Sequence, residues 1–574
     1  MKSIAGHLSG NAGFVKAASH WMCDWAESSR PGTEPWNDPF EVAQRAGTLC
    51  RLLFAGVHHP DFSGEAVEAV LRVLFFSGVW IEGTLEYQTP NNHLLLEALR
   101  LAQLGLLFPE FPEADRRLRK GTRLLEREVL RQVSADGVHR EHSSFYQRMT
   151  VEGLLEWLVL CRINGAPLAH PIEDRIERMF HFLEGIKRPD DKFPLIGDGF
   201  RSDVLLRHDL SAARRATWGW ARPGQASANL RTTLLLGIPG EVEAGEKVCR
   251  PPLEVWKEGG YAVFRSGTFP EESTLLFDFG EFGMEAAPGH GHADCLSLEL
   301  SVRGKPVLVD PGACSWTGKL EWRRSFRGTR AHNTVVVDGA DQTPLYGFYG
   351  AGPFARPTLR WVAENGPLKC IDASHDGYRR LPGPVVHRRV VLETGRDGWL
   401  VIDLLEGAED HEIEVGWHFD PRLRLHLEEG AATLYGAASP EMHMVWKGSL
   451  ELEPAIYRGS SEPCLGWVSW ESGSLEPADV LVLKGHAAAP CWVATALVPW
   501  NPGGGSPEFE AESVENGLAA FLETGSGRTS VFVAWSGKKG GRFGQWRTAG
   551  RFAAVREGAE PAILAYPAQT PNLV

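Results

Sequence analysis

The sequence predicts an α+β protein in which a region of paired helices, either an α-solenoid or an α/α toroid, precedes an antiparallel β-sandwich. Two changes along the chain carry this prediction. Up to about residue 235, apolar residues recur at steps of three and four, the period of amphipathic helices. Beyond about residue 256 they recur at steps of two, and Gly-rich turns separate the runs, which is typical of long antiparallel strands. The chain of 574 residues is also too long for one compact core.

Three segments of the first half show the helical pattern most clearly: "NNHLLLEALRLAQLGLLF", "ADRRLRKGTRLLEREVLRQV" and "TVEGLLEWLVLCRIN". Short clusters of Pro, Gly and Asp separate them, so the helices are expected to pair across short loops. No strict repeat is visible, which excludes an obvious array of one motif. We predict a helical domain over residues 1–235, a linker over 236–255 and a β-sandwich over 256–574, with a smaller C-terminal β subdomain from about 450.

Charge and cysteine content narrow the class of protein. Lys and Arg number 59 against 73 Asp and Glu, a net charge of −14, so we expect no broad contact with nucleic acid. The 9 cysteines are scattered without a CxxC pair, which indicates reduced thiols and neither a disulfide framework nor a thiolate metal site. The 20 Trp offer flat aromatic faces that suit sugar rings, although most of them belong to the core.

The N-terminus has no apolar stretch of the kind found in a signal peptide. This predicts a cytoplasmic protein, unless a leader has been removed, in which case a periplasmic or secreted location is expected. No run approaches the roughly 18 apolar residues of a membrane span, so no membrane partner is expected. No oligomeric state is predicted.

The stretch "GHGHADCLSLEL" places two histidines one residue apart at the start of an alternating segment. If the segment is one strand, His290, His292 and Asp294 share a face with its leucines and lie at the polar end of that face. The turn "RGKP" then returns the chain to Asp310, and "RAHNTVVVDG" opens with His332. Two histidines and one aspartate are a suitable ligand set for a zinc-like divalent ion. Hairpin pairing alone does not set Asp310 beside His292.

Three of these residues also have a purely structural explanation. Asp310 begins "DPG" and is as well suited to a turn, and Asp294 suits a cap or the orientation of a neighbour. A histidine that opens a strand, as His332 does, is more often structural than a ligand.

Taken together, "GHGHADCLSLELSVRGKPVLVDPGACSW" and "WRRSFRGTRAHNTVVVDGADQT" resemble the heparinase II/III-like polysaccharide lyases. "NNHLLLEA" and "DGVHREHSSFYQRM" look like the two active-site segments that this family carries in its helical domain. The resemblance covers roughly residues 60–430. It implies an incomplete α/α toroid followed by the β-sandwich, with the site in the cleft between them.

The resemblance also implies a chemistry, the β-elimination of uronic-acid polysaccharides. One group must neutralise the uronate carboxylate, a base must remove the C5 proton, and an acid must protonate the leaving oxygen. By resemblance, Asn92 binds the carboxylate with His93 beside it, and Asn91 is the alternative by one position. Tyr146 and His290 match the family's proton carriers.

The same resemblance assigns His292, Asp310 and His332 to one divalent metal ion, zinc first, with manganese or calcium as alternatives. Elimination needs no metal-activated water, so we expect the ion to position residues and to supply charge.

Several of these side chains have simpler explanations when taken alone. Asn92 suits the N-cap of the helix that follows it. His93 suits a helix surface, and Tyr146 suits packing at the start of a helix. A basic stripe along one helix is expected to be a solvated face, because glutamates interleave with it; its members are Arg116, Lys120, Arg123, Arg127 and Arg131.

Arg324 and Arg327, which precede His332, are the better candidates for substrate carboxylate or sulfate, because arginine offers a bidentate fork. We therefore predict a polysaccharide lyase whose partner is an anionic uronic-acid polysaccharide, a glycosaminoglycan of the heparan, chondroitin or hyaluronan type first and alginate or oligo-alginate second. One rival is a glycoside hydrolase, for which Glu97, Glu141 and Asp198 can be nominated without an evident pair. The other rival is a non-catalytic polysaccharide-binding protein.

Overall fold

The structure is a computed structural model that describes residues 12–29, 31–201, 250–395, 398–437, 439–503, 505–558, 561–567 and 572–573. The predicted domain boundary at residue 235 and the linker up to residue 249 lie outside the described residues. The described chain forms two compact units. The helical unit contains residues 12–139 and 146–181, and the β unit contains residues 140–145, 182–201 and everything from Arg250 onwards.

The N-terminal region is helical, as predicted. Its described α-helices are Ala12–Ser28, Pro39–Gly56, Gly64–Thr84, Asn92–Leu107, Ala114–Gln132, Ser144–Ile163 and His170–Ile186, with a 3₁₀ turn at Glu34–Trp36. Side-chain caps begin several of them, because a side-chain oxygen satisfies a backbone N–H that the first turn leaves open. Asp38 accepts from the Glu41 N–H, and Ser63 accepts from the Ala66 N–H.

The three segments that carry the clearest helical period each form a helix. The helix Asn92–Leu107 is buried over most of its length and packs against both Ala114–Gln132 and Pro39–Gly56. Close approach is built into this packing: a Cβ on Gly121 would lie 2.4 Å from the backbone nitrogen of Ala102. None of the helices in the described ranges combines the length and apolar character that a bilayer crossing requires.

The β unit consists of antiparallel sheets. In hydrogen-bonding order, the first sheet contains Leu253–Trp256, Tyr261–Ser266, Ser273–Asp278, Leu298–Val302 and Lys305–Leu308. The largest contains Arg424–Glu428, Ala431–Tyr435, Pro440–Gly448, Cys491–Pro499, Trp399–Glu406, Val386–Thr394, Leu368–His375 and Pro357–Asn365. A third contains Glu453–Arg458, Asp479–Ala488, Asp410–His418 and Val335–Val337. A fourth contains Glu508–Val514, Gly517–Thr524, Gly527–Ala534, Phe552–Gly558 and Ala562–Tyr566.

Small elements complete the unit. These are the strands Gly541–Phe543, Trp546–Thr548 and Asn572–Leu573, the pairs Ser460–Ser461 with Cys464–Leu465, Trp467–Val468 with Glu476–Pro477 and Leu345–Tyr346 with Gly350–Ala351, the helix Leu320–Arg327, and 3₁₀ turns at Pro288–His290, Thr329–Ala331 and Gly377–Arg380.

The eight-stranded sheet is the middle layer of the β unit. Val391 and Val401 point to a core shared with the first and third sheets, whereas Leu392 and Ile402 point to a core shared with the fourth. Because side chains alternate across a strand, neighbouring residues serve different cores. The predicted sandwich is thus extended by an outer sheet, which begins at Glu508. The subdomain boundary near residue 450 stays a prediction.

The strand predicted from "GHGHADCLSLEL" is shorter than expected. It starts only at Leu298, and His290 ends a 3₁₀ turn. Leu296 has φ +64°, a left-handed conformation that breaks the alternation. The prediction that the histidines continue one strand face is therefore wrong: they belong to the loop before the strand. The "RGKP" turn is confirmed, with Arg303 and Gly304 both at positive φ between the paired strands.

Residues 140–145 and 182–201 belong to the β unit although they lie within the predicted helical domain. Their hydrogen bonds explain this. The Ser143 hydroxyl donates to the Asp198 carbonyl at 2.6 Å, and the Asp198 N–H donates to the His290 carbonyl at 2.9 Å. The two segments are thereby joined to the loop that carries the histidines.

Candidate active site and metal centre

Buried arginines hold the histidine loop from the helix Leu320–Arg327. Arg327 donates from Nε to the Gly291 carbonyl at 3.1 Å and from its two terminal nitrogens to the Pro288 and Phe348 carbonyls, each at 2.8 Å. The loop returns a bond, because the Ala293 N–H donates to the Arg327 carbonyl. Irregular backbone needs such partners when it is buried.

Asp198 is the hub of the buried polar groups around the histidines. Its carboxylate accepts from His290 Nδ1 at 3.0 Å and from His292 Nε2 at 3.1 Å, and it forms a bidentate pair with the Arg323 guanidinium. Burial acts to raise the pKa of this carboxyl, but the bonds from the two histidines and the charge of Arg323 outweigh it and hold the pKa well below its usual range. Asp198 is therefore an anion whose carboxylate is bound by His290, His292 and Arg323.

His290 lies between two carboxylates. Asp198 bonds Nδ1, and an oxygen of Glu141 lies 3.9 Å from Nε2. The His290 side chain is 13% exposed, while both carboxylates are fully buried. Glu141 and Asp198 had been nominated for a glycoside hydrolase. In the structure both of them flank one histidine.

The three predicted metal ligands come together. His292, Asp310 and His332 each offer one ligand atom, and these atoms all lie within 4.8 Å of one another. Asp310 accepts from His332 Nδ1 at 2.7 Å with one oxygen and from the Gly312 N–H at 2.9 Å with the other. The turn interpretation of Asp310 is confirmed by its bond to the Gly312 N–H, and it is compatible with a place in the cluster of possible ligands.

The residues present fit a divalent ion. His292 Nδ1 and His332 Nε2 are buried and have no hydrogen-bond partner among the described residues. Burial lowers the pKa of His292 to about 4, so its imidazole is neutral near pH 7, as a ligand must be. Burial also acts to lower the pKa of His332, but the Asp310 carboxylate raises it overall, so an ion would compete with a proton there.

Asp294 is buried and is not one of the three possible ligands. Burial and the charge of Asp310 raise the pKa of its carboxyl to about 7, against the opposing effect of His332. Its backbone carbonyl accepts from the Ser297 N–H, which closes the turn before the strand.

The arginines before His332 divide into buried and exposed positions. Arg323 and Arg327 are buried one helical turn apart, whereas Arg324 is exposed and donates to the Leu345 carbonyl at 3.4 Å. The predicted substrate role of Arg327 is not what its contacts indicate, since backbone carbonyls surround its guanidinium. Sequence reasoning missed Arg323. The spacing of four from Arg327, on the face that also carries Phe326, was the available signal.

In the helical unit, the two neighbouring asparagines have different positions. Asn91 is the N-cap: its side chain accepts from the His93 N–H at 3.0 Å. Asn92 is the first helical residue and is fully buried. The alternative that Asn92 caps the helix is therefore wrong by one position.

A chain of buried hydrogen bonds joins the two helical segments that carry the family resemblance. Gln132 Nε2 donates to the Asn91 carbonyl at 2.8 Å, and Gln132 Oε1 accepts from His139 Nε2 at 3.3 Å. The His139 N–H then donates to the Gln147 side chain at 2.6 Å. Gln147 follows Tyr146 in the first turns of the helix Ser144–Ile163, where Tyr146 is 8% exposed. The structure thus links the Asn91 and Tyr146 segments within one unit.

His93 is held by its own neighbours. Its Nδ1 lies 2.9 Å from an oxygen of Glu86, and its ring stacks on Phe40 at 4.1 Å between centroids. Glu97, the third carboxylate nominated for a hydrolase, accepts from the Glu86 N–H at 2.9 Å. Burial raises the pKa of Glu97 to about 8, and the adjacent Glu86 adds to this.

The basic stripe is a solvated face, as expected. Arg116 is exposed and pairs with Glu82 at 3.0 Å. Arg127 and Arg131 both pair with the buried Glu128, which explains why acidic residues interleave with the stripe.

Comparison with known proteins identifies the family. Residues 12–215 match the profile of the heparinase II/III N-terminus, and residues 250–491 match the profile of the heparinase II/III-like C-terminal domain. The chain belongs to the heparinase II/III-like family. Its fold is that of the family, an N-terminal incomplete α/α toroid followed by an antiparallel β-sandwich.

Curated relatives agree with this assignment. The chain is 25% identical over 423 residues to a heparin-sulfate lyase of Pedobacter heparinus, covering 72% of this chain and 59% of that protein. It is 23% identical over 434 residues to a heparin-sulfate lyase of Bacteroides thetaiotaomicron, covering 72% of this chain and 58% of the relative. The chain thus spans less than two thirds of the length of either relative.

Solved structures support the fold. A crystal structure of heparinase III matches with a TM-score of 0.74 and 17% identity, covering 92% of this chain and 81% of that chain. A mutant of the heparan sulfate lyase HepC from Pedobacter heparinus matches with a TM-score of 0.69 and 18% identity, covering 93% and 80% of the two chains.

Proposed function

We propose that this protein is a polysaccharide lyase that cleaves uronic-acid-containing polysaccharides by β-elimination. The observation that carries the proposal is the position of His290. In a chain that belongs to the heparinase II/III-like family, this histidine lies between two buried carboxylates. Asp198 accepts from Nδ1, so that Nε2 is the nitrogen suited to exchange a proton with substrate.

The proposed elimination moves one proton off the substrate and one onto it. Neutralisation of the uronate carboxylate by Asn92 makes the C5 proton more acidic. His290 removes that proton, the electron pair forms the C4–C5 double bond, and the C4–O4 bond breaks. Tyr146 donates its hydroxyl proton to O4, a role that suits a phenol whose ordinary pKa is near 10. His93 lies beside Asn92 and is proposed to support it.

His292, Asp310 and His332 are proposed to hold one divalent ion, with zinc first because two imidazoles and a carboxylate suit it, and manganese or calcium as alternatives. When bound, such an ion supplies fixed positive charge. These three residues belong to separate segments of the β unit. If all three bound one ion, they would hold the loop that carries His290 in place.

The proposed substrate is a glycosaminoglycan. Both relatives described above are heparin-sulfate lyases, which favours a heparan-type chain. Alginate is the second candidate. The exposed Arg324 offers a bidentate fork to a carboxylate or a sulfate of either substrate.

A panel of uronic polysaccharides tests the proposal: heparan sulfate, chondroitin sulfate, hyaluronan and alginate, each followed by ultraviolet absorbance. Elimination leaves a C4–C5 double bond conjugated to the uronate carboxylate, and this product absorbs ultraviolet light. Hydrolysis forms no such double bond, so its products do not absorb. We expect absorbance to rise with at least one polymer. New reducing ends without unsaturated uronate would identify a glycoside hydrolase, and binding without cleavage of any polymer would identify a non-catalytic binding protein.

A further inference from the structure

One buried carboxylate serves both histidines of the "HGH" sequence. Asp198 Oδ2 faces His290 Nδ1 and Asp198 Oδ1 faces His292 Nε2, at 3.0 and 3.1 Å. The aspartate comes from the segment "PLIGDGF", 92 residues before His290. Neither the histidine motif nor the spacing of the metal ligands indicates this contact.

A carboxylate only accepts hydrogen bonds, so each ring nitrogen that faces it must carry the hydrogen. His290 is therefore held as the Nδ1–H form and His292 as the Nε2–H form, if each is neutral. The lone pairs are then on His290 Nε2 and on His292 Nδ1. His290 Nε2 is the nitrogen suited to take the C5 proton. His292 Nδ1 is the nitrogen that has no hydrogen-bond partner among the described residues.

Asp198 itself is prevented from turning. Arg323 contacts both oxygens, with its second terminal nitrogen 2.6 Å from Oδ2, and donates to the Gly289 carbonyl at 2.7 Å. The Asp198 backbone is bound at both ends, by its N–H to the His290 carbonyl and by its carbonyl to the Ser143 hydroxyl. The side chain is fully buried, so water does not compete for these bonds.

We propose that Asp198 is the positioning residue of this site, which sets opposite tautomers on His290 and His292 and so separates a proton-transferring histidine from a metal-binding one. The catalytic half of this inference rests on the proposed lyase function. After His290 takes the C5 proton on Nε2, the imidazolium keeps its Nδ1–H bond to the Asp198 anion, which stabilises the new positive charge. A carboxylate that accepts from the ring N–H of a metal-binding histidine orients that histidine in the same way.

The tautomers can be observed directly in the metal-free wild-type protein by a joint X-ray and neutron crystal structure after exchange into heavy water. We expect deuterium on His290 Nδ1 and on His292 Nε2. Deuterium on His290 Nε2 alone, or on His292 Nδ1, would overturn the proposal. This measurement needs neither substrate nor a variant.

Asp198→Asn supplies the functional arm. An amide cannot accept from two ring N–H groups with two oxygens, so we expect kcat to fall about 100-fold or more with KM changed less than about threefold, and zinc affinity to fall about 10- to 100-fold. The matched control is Asp372→Asn, because Asp372 is also fully buried and pairs with an arginine, Arg388, which contacts the outer sheet at the Ala534 carbonyl. The control should lose stability with kcat and zinc affinity kept.

The possible failures are distinguishable. A wild-type protein that forms no unsaturated product contradicts the lyase function, and the neutron structure still decides the tautomers. An active wild type with an Asp198→Asn variant of unchanged kcat contradicts the positioning role alone. If kcat fell in both variants in proportion to the decrease in their melting temperatures, the effect would be merely structural. That result would also overturn the positioning role of Asp198.

Discussion

Gly291 lies so close to Phe282 that a Cβ at position 291 would be 1.6 Å from the Phe282 carbonyl oxygen. The residue has φ −76°, which any amino acid can adopt, so the glycine is required by space and not by backbone conformation. This contact brings the backbone between His290 and His292 against a buried loop. The glycine of "HGH" is thereby as important to the geometry as the two histidines.

Gly291→Ala should displace the loop, because the obstacle is a backbone atom that cannot rotate away. We expect a loss of activity of about 100-fold or more and a melting temperature several degrees lower. Gly289→Ala is the control: its Cβ would lie 3.3 Å from the ring of Tyr349, an exposed side chain that can move. Calorimetry and initial rates on both variants measure the difference. A Gly291→Ala protein as stable and as active as Gly289→Ala would contradict the packing described here.

His292→Ala and His290→Ala should separate metal binding from catalysis. The first removes a ligand, so metal content, thermal stability and then activity should fall together. The second should keep the metal and lose about 10²–10⁴-fold in rate. Elemental analysis after reconstitution with zinc checks both variants beside the wild type. Metal kept in His292→Ala but lost in His290→Ala would reverse the assignment, and a wild type that takes up no metal would end it.

Tyr146→Phe removes one hydroxyl and should keep the fold, since the ring is buried at the start of a helix. We expect the rate of product formation to fall about 10²–10⁴-fold on the best substrate, because an acid–base group is lost. Tyr378→Phe is a useful comparison. That hydroxyl is also buried and donates to the Val335 carbonyl at 2.7 Å, so its loss should lower stability by about 1 kcal/mol and spare the rate. A Tyr146→Phe enzyme at wild-type speed would remove Tyr146 from the mechanism.

Glu299→Gln should stabilise the protein increasingly as pH rises. Burial raises the pKa of Glu299 to about 8, with Arg188 opposing at 3.7 Å, and neither carboxyl oxygen has a hydrogen-bond partner among the described residues. The unfolded chain releases this proton near pH 4.5, so the wild type loses stability between about pH 4.5 and 8. The neutral amide removes that loss.

The difference in free energy of unfolding between Glu299→Gln and wild type should thus grow across this range, by roughly 1–3 kcal/mol. Denaturant titrations at pH 5, 6.5 and 8 measure it, with the exposed Glu281→Gln as control. A difference that is constant or shrinks with pH would show that Glu299 is ionised in the folded state.

The sequence predicted the order of the two architectures because helix and strand periods are local properties of the chain. The histidines were wrongly predicted to lie on a strand, because the alternation of apolar and polar residues continues in the sequence through Leu296. At Leu296 the backbone is left-handed, which ends the alternation of faces. Single-sequence patterns do not report such a turn at a leucine, a residue that rarely adopts it. The packing of the outer sheet from Glu508 against the eight-stranded sheet was not predicted, because contacts between residues far apart in sequence leave no local pattern.

The metal ligands were assigned through resemblance, and the structure brings all three together. The roles of Asn92, His93, Tyr146, His290 and Arg324 stay predictions. Asp198 had been nominated only as a hydrolase carboxylate, and Arg323 had not been singled out. Both were obscured for the same physical reason: a buried ion pair between residues 125 positions apart depends on the tertiary fold, and each partner alone resembles an ordinary surface charge.

The β unit is assembled from three separate stretches of chain, of which 140–145 and 182–201 precede all of its strands. On the ribosome, Asp198 therefore emerges more than 120 residues before Arg323, its charge partner. The site can close only once synthesis has passed His332. A fragment beginning at Arg250 would contain all the β-strands of the described residues and yet bury Arg323 without its anion. Any attempt to express the β unit by itself should therefore retain residues 140–145 and 182–201, for instance by circular permutation.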